Sequence, residues 1–88
     1  MVYRYMPKGV CSYQIDLELD GDVIKAVAFT GGCNGNLQGV SRLVEGMTVE
    51  NAVSRLQGIH CGSKATSCPD QLAQALKAAL EMERKEQA

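Results

Sequence analysis

The chain has 88 residues, nine Lys and Arg against ten Asp and Glu, a single His, and a 45% hydrophobic content. That balance belongs to an ordinary globular domain and excludes a disordered chain, and its near-neutral charge leaves no basic stripe to neutralise duplex nucleic acid. No apolar run is long enough to cross a membrane, and the opening MVYRYMPKGV lacks the apolar centre of a secretory signal, so a cytoplasmic location is expected.

Val2 to Met6 reads as a short edge strand that stops at Pro7-Lys8-Gly9. From Cys11 to Asp20 the pattern alternates: Cys11, Tyr13, Ile15, Leu17 and Leu19 take one face, and Ser12, Gln14, Asp16, Glu18 and Asp20 the other. Asp20-Gly21-Asp22 signals a turn into a second β-prone run, Val23 to Thr30, so the two runs should pair as a hairpin. The acidic residues along it form a solvated face and are assigned no catalytic role.

After Gly31-Gly32-Cys33-Asn34-Gly35 the period becomes helical, with Leu37, Val40, Leu43, Val44 and Met47 on one face and a stop at Gly46. Thr48 suits the N-cap of a second helix, whose apolar face is Val49, Ala52, Val53 and Leu56 and whose end is Gly58. A third helix starts near Pro69, capped by Ser67 or Cys68, with Asp70 complementing the dipole. Its buried stripe is Leu72, Ala75, Leu76, Ala79 and Leu80; Glu81 and Lys85 can pair on the wet side, and the residues from Glu83 onward should fray. Strands followed by helices predict an α+β fold: a small antiparallel sheet of two or three N-terminal strands, with three helices packed on one face.

A domain of this size buries only about 60% of its unfolded surface, so an additional staple is useful. Four cysteines are available, spaced C-x21-C-x27-C-x6-C without the C-x2-C knuckle of common zinc motifs. A hairpin turning at Gly21 sets Cys11 opposite Gly31, with Cys33 just beyond. Cys61 and Cys68 share one loop that would need to cross the same end of the sheet. Each residue also has a plainer role. Cys11 is in phase with the buried face, Cys33 lies in a glycine turn, His60 is a lone loop histidine, and Cys68 sits where a cap residue would. A helix N-terminus nevertheless favours thiolate at Cys68, as a metal ligand or a nucleophile. The GGCNG turn lacks the Lys and Ser/Thr of a phosphate-binding loop.

Residues Thr66 to Asp70 spell TSCPD. The chain resembles the TSCPD domain family, named for that motif, over nearly its whole length and in the placement of all four cysteines. The resemblance implies one domain of this type over 1–88, as in the small stand-alone members, with metal binding through the cysteines. It also implies kinship with a C-terminal module of some ribonucleotide reductases. A second likeness, of layout, is to the iron–sulfur scaffold (IscU/NifU-type) fold: GVC at Cys11, a hairpin, GGC at Cys33 and IHC at Cys61 before a final helix. Those scaffolds bind a cluster or zinc with three cysteines and a histidine just before the last, which matches Cys11, Cys33, Cys61 and His60. Their aspartate two residues after the first cysteine is replaced here by Tyr13, and Cys68 has no counterpart among them.

The resulting expectation is a small metal-binding module, in which Cys11, Cys33, Cys61 and Cys68 hold a zinc ion or an iron–sulfur cluster. His60 and Asp70 would serve as a fourth ligand or as outer partners of the ligands. The alternative is a thiol-redox or nucleotide-binding accessory of ribonucleoside-diphosphate reductase-type deoxyribonucleotide synthesis. A chain of 88 residues cannot hold a radical-generating reductase barrel, so any reductase activity would need a larger partner; the protein partner expected is a reductase or iron–sulfur machinery.

Overall fold

The computed structural model of the chain describes residues 1–10, 12–32 and 34–87; Cys11 and Cys33, and with them the expectations placed on those two thiols, lie outside the described residues. Three strands form one antiparallel sheet in the order β1 (Val2–Tyr5), β2 (Ser12–Asp20), β3 (Val23–Gly31). The β2–β3 turn is the pair Gly21-Asp22, with Gly21 at a φ of +61°. A positive φ at the first of two loop residues is the hairpin geometry that glycine supplies without strain.

Alternation fixes which face is buried. Ile15, Leu17 and Leu19 of β2 join Ile24 and Val27 of β3 in the core, while Asp16, on the opposite face, pairs with Arg4 of β1. Two details differ from the expected hairpin. Because the two-residue turn closes on the pair Asp20–Val23, the register lies one residue from the expected one and Gly31 faces Ser12. A register shift between Ser12 and Gln14 also leaves Tyr13 as an extra residue, and its ring is 64% exposed instead of joining the buried face.

Three helices follow: α1 (Asn34–Val44), α2 (Val49–Leu56) and α3 (Cys68–Gln87). In α1 the core-facing residues are Leu37, Ser41 and Val44, with Val40 partly covered; the Ser41 hydroxyl donates to the Leu37 carbonyl at 2.8 Å, so its burial is satisfied. Leu43, expected on that face, points out and is 76% exposed, because it falls off the stripe that Leu37, Val40 and Val44 define. Gly46, at a φ of +89°, ends the helix. The link that follows is sewn onto the turn end of the hairpin: the Ile24 N–H donates to Met47 at 2.9 Å, Gly46 to Ile24 at 2.8 Å, and Val49 to Asp22 at 2.8 Å.

Thr48 caps α2 as expected, its hydroxyl oxygen accepting the Asn51 N–H at 3.2 Å. Along α3, Leu72, Ala73, Ala75, Leu76 and Ala79 are fully buried, the alanines letting the helix lie close to its neighbours. Helix α1 packs on β3, α3 crosses β2 and touches β1, and α2 packs on α3. Helix α3 extends through Gln87, its last turns carrying Arg84, Lys85 and a 3.8 Å Glu81–Lys85 pair that suit the C-terminal dipole. The architecture is the expected α+β layout. Among the described residues no helix is long and apolar enough to cross a membrane.

Candidate functional site

The motif Thr66-Ser67-Cys68-Pro69-Asp70 forms the start of α3. Ser67 is its cap: its oxygen accepts the Asp70 N–H at 3.2 Å and its hydroxyl donates to the Ile59 carbonyl at 2.6 Å. This is the first half of a capping box, with Ser67 at the cap and Asp70 three residues on. Pro69, inside the first turn, has no N–H to leave unpaired there.

Asp70 does not reach back to its own cap. One carboxylate oxygen accepts the Gly58 N–H at 2.7 Å and the other accepts the Thr66 hydroxyl. The Thr66 bond first, then the Gly58 N–H, hold the Asp70 carboxyl below the ordinary aspartate value, with Gln74 and His60 contributing less and burial opposing. A buried carboxylate thereby closes the loop between α2 and α3. Within that loop the Cys61 N–H donates to the Thr66 carbonyl at 3.1 Å and the Lys64 N–H to Cys61 at 3.0 Å. His60 and Cys61 are exposed on the clasped loop, whereas Cys68 is buried in the first turn of α3.

The segment leading to Cys11 lies against the same clasp. Gly9 has a φ of +75°, and a β-carbon there would stand 3.3 Å from the Thr66 methyl. The Lys8 N–H donates to Gln71 Oε1 at 3.2 Å, while Gln71 Nε2 donates to the Thr66 hydroxyl oxygen at 2.9 Å. At the neighbouring end of the sheet, Ser12 pairs with Gly31, and Gly32 follows. Among the described residues, which leave out Cys11 and Cys33, no three of the His, Cys, Asp and Glu side chains gather within reach of one metal ion.

Sequence reasoning singled out Asp70 but not its partners Gly58 and Thr66, and it missed Gln71 altogether. The Ser67-to-Asp70 spacing was a readable capping signal; nothing in the spacing announces Gln71, whose partners are over 60 residues away in Lys8 and five away in Thr66.

Fold and site define a small α+β domain organised around a capped helix start that bears a cysteine. The sequence model of the TSCPD domain matches residues 1–80, and the chain belongs to that family. No curated protein and no solved structure matches it.

Proposed function

We propose that the chain is a small metal-binding module whose four thiolates, Cys11, Cys33, Cys61 and Cys68, hold a zinc ion or an iron–sulfur cluster in a structural, scaffold or accessory role. The observation that carries this reading is the contact between Gly9 and Thr66, which joins the segment before Cys11 to the loop bearing Cys61 and the turn bearing Cys68. The Ser12–Gly31 pairing adds the segment before Cys33. The donor set also fits: sulfur ligands suit zinc and iron–sulfur centres, and a closed four-thiolate site favours holding a metal over hydrolysis.

Both Asp70 oxygens are already engaged by Gly58 and Thr66, so Asp70 acts as an outer support of the loop, and His60 is the reserve ligand. The reducing cytoplasm would keep the thiols available for metal. Kinship with a reductase module and the scaffold-like layout direct a partner search to reductases and iron–sulfur machinery.

The test is elemental analysis of untagged chain purified without oxygen. About one zinc per chain, or iron with visible colour, supports the proposal, and each Cys→Ser variant should lower the content. Folded, metal-free protein with four titratable thiols overturns it. Reversible dithiol oxidation in that metal-free protein would favour the thiol-redox accessory role.

A second reading, nucleotide binding, draws on a cleft of about 490 Å³ between β3 and α1, lined by Gly31, Gly32, Gln38 and Arg42 among others. A nucleotide titration that saturates in the wild type and fails in Arg42→Ala would favour it.

A further inference from the structure

Four hydrogen bonds run in sequence through the start of α3. The Lys8 N–H donates to Gln71 Oε1, Gln71 Nε2 donates to Thr66 Oγ1, and the Thr66 hydroxyl donates to Asp70 Oδ2, while Oδ1 of the same carboxylate accepts the Gly58 N–H. Each donor and acceptor in the chain has one consistent assignment. The backbone N–H groups at its two ends can only donate, and an ionised carboxylate can only accept. This orients the Thr66 hydroxyl towards Asp70 and the Gln71 amide with its oxygen towards Lys8. Tyr5 lies beside the same amide oxygen, its hydroxyl 3.5 Å away.

We infer that Gln71 is a positioning residue, which with Thr66 and Asp70 couples the loop preceding Cys11 to the loop carrying His60 and Cys61. Lys8 and Gly58 are 50 residues apart and share no direct bond; the relay makes the order of each loop depend on the other. Gln71 bears no chemistry of its own. Its side chain spans the two loops because it follows the motif by one position and sits in the first turn of α3, where Thr66 is within reach of its amide nitrogen. On the metal-binding reading, on which this consequence rests, the relay presets the spacing of the cysteine-bearing segments before any metal arrives. The bonds of the relay are part-buried, except the exposed one from Lys8, and removing one member takes a protein partner from each of its neighbours and loosens the bonds that remain.

The experiment is amide hydrogen exchange by NMR on the intact chain, with zinc affinity from chelator competition as a second readout. Gln71→Met should speed exchange at Lys8 by about tenfold or more. Thr66→Val keeps the methyl beside Gly9 and should speed exchange at both Lys8 and Gly58, although Thr66 bonds to neither amide. The Ile24 amide, at the far end of the sheet, should not change in either variant. Thr66→Ser retains the hydroxyl and should keep both amides protected; it decides the matter if Thr66→Val unfolds. Zinc affinity should fall by about tenfold in Gln71→Met and Thr66→Val, with all four cysteines intact. Unchanged exchange at Lys8 and Gly58 overturns the inference, as does unchanged zinc affinity once those amides have opened. A wild type that takes up no zinc overturns the metal-binding reading instead, and the relay is then judged on exchange alone.

Discussion

Gly9 and Thr66 approach so closely that a single added carbon on the glycine would press on the threonine methyl at 3.3 Å. The same glycine holds a φ of +75°, in the left-handed region that an L side chain enters at a cost of about 1–2 kcal/mol. Gly9→Ala should therefore destabilise by at least that amount, measured by chemical denaturation. Gly21→Ala is the matched control, since Gly21 has a φ of +61° and open space around it. Any loss in Gly9→Ala beyond the control reports the Thr66 contact, and equal losses would show that the contact contributes nothing.

Thr48 supplies the only side-chain oxygen bonded to the Asn51 amide among the described residues. Thr48→Ala should cost about 1 kcal/mol, and Thr48→Ser should restore most of it. A loss below a few tenths in the alanine variant would mean that water replaces the cap.

Leu76 is fully buried where α3 meets the sheet, whereas Leu43 is 76% exposed on α1. Leu76→Ala should lose about 2–5 kcal/mol, a large part of what a domain this size possesses. Leu43→Ala should stay within about 0.5 kcal/mol of wild type. Thermal or urea unfolding distinguishes the two, and a costly Leu43→Ala would place that side chain in contacts absent from the isolated chain.

On the open face of the sheet, Arg4 Nε lies 2.8 Å from Asp16, and Gln14 donates to the other carboxylate oxygen at 2.7 Å. Arg4 first, then Gln14, lower the Asp16 carboxyl below its ordinary value of 3.8. A carboxyl depressed in the fold adds stability above its unfolded value and loses it as pH falls through the folded one. Wild type should thus lose more stability than Asp16→Asn between about pH 5 and pH 2. The pair is partly exposed, so the difference should be about 0.2–1 kcal/mol and should shrink in high salt. Parallel pH profiles for the two proteins would remove any role for the pair.

Much of the fold was legible because its signals are local. Ile15, Leu17 and Leu19 alternate, Leu72, Leu76 and Ala79 recur at helical spacing, and Thr48 and Ser67 stand where caps stand. Tyr13 was misplaced because a register shift is a two-strand event, invisible in one strand's alternation. Leu43 was misplaced because a leucine beside a stripe reads like one within it. In the candidate site, the helix start at the motif could be read directly, although Cys68 opens α3 itself and does not share the loop of Cys61. The work of Asp70 could not, because its partner Gly58 belongs to the end of the previous helix and is met only after the chain folds back.

The two ends of this small sheet are fastened by different materials. At the hairpin turn, residues 46–49 hydrogen-bond to β3 and the turn through main-chain atoms, with Ile24, Met47, Gly46, Val49 and Asp22 using groups that nearly every amino acid carries, while the Ile24 and Val49 side chains enter the core. At the other end the fastening is made by particular side chains: Thr66, Ser67, Asp70 and Gln71. The hydrogen bonds of the first seam ask for no particular side chain, and its letters are held only by the glycine at the bend and by the apolar burial of Ile24 and Val49, while the second seam is spelled in the alphabet itself. A domain built this way would exchange one apolar residue for another at one pole and keep particular side chains at the other, which is where a five-letter signature can persist.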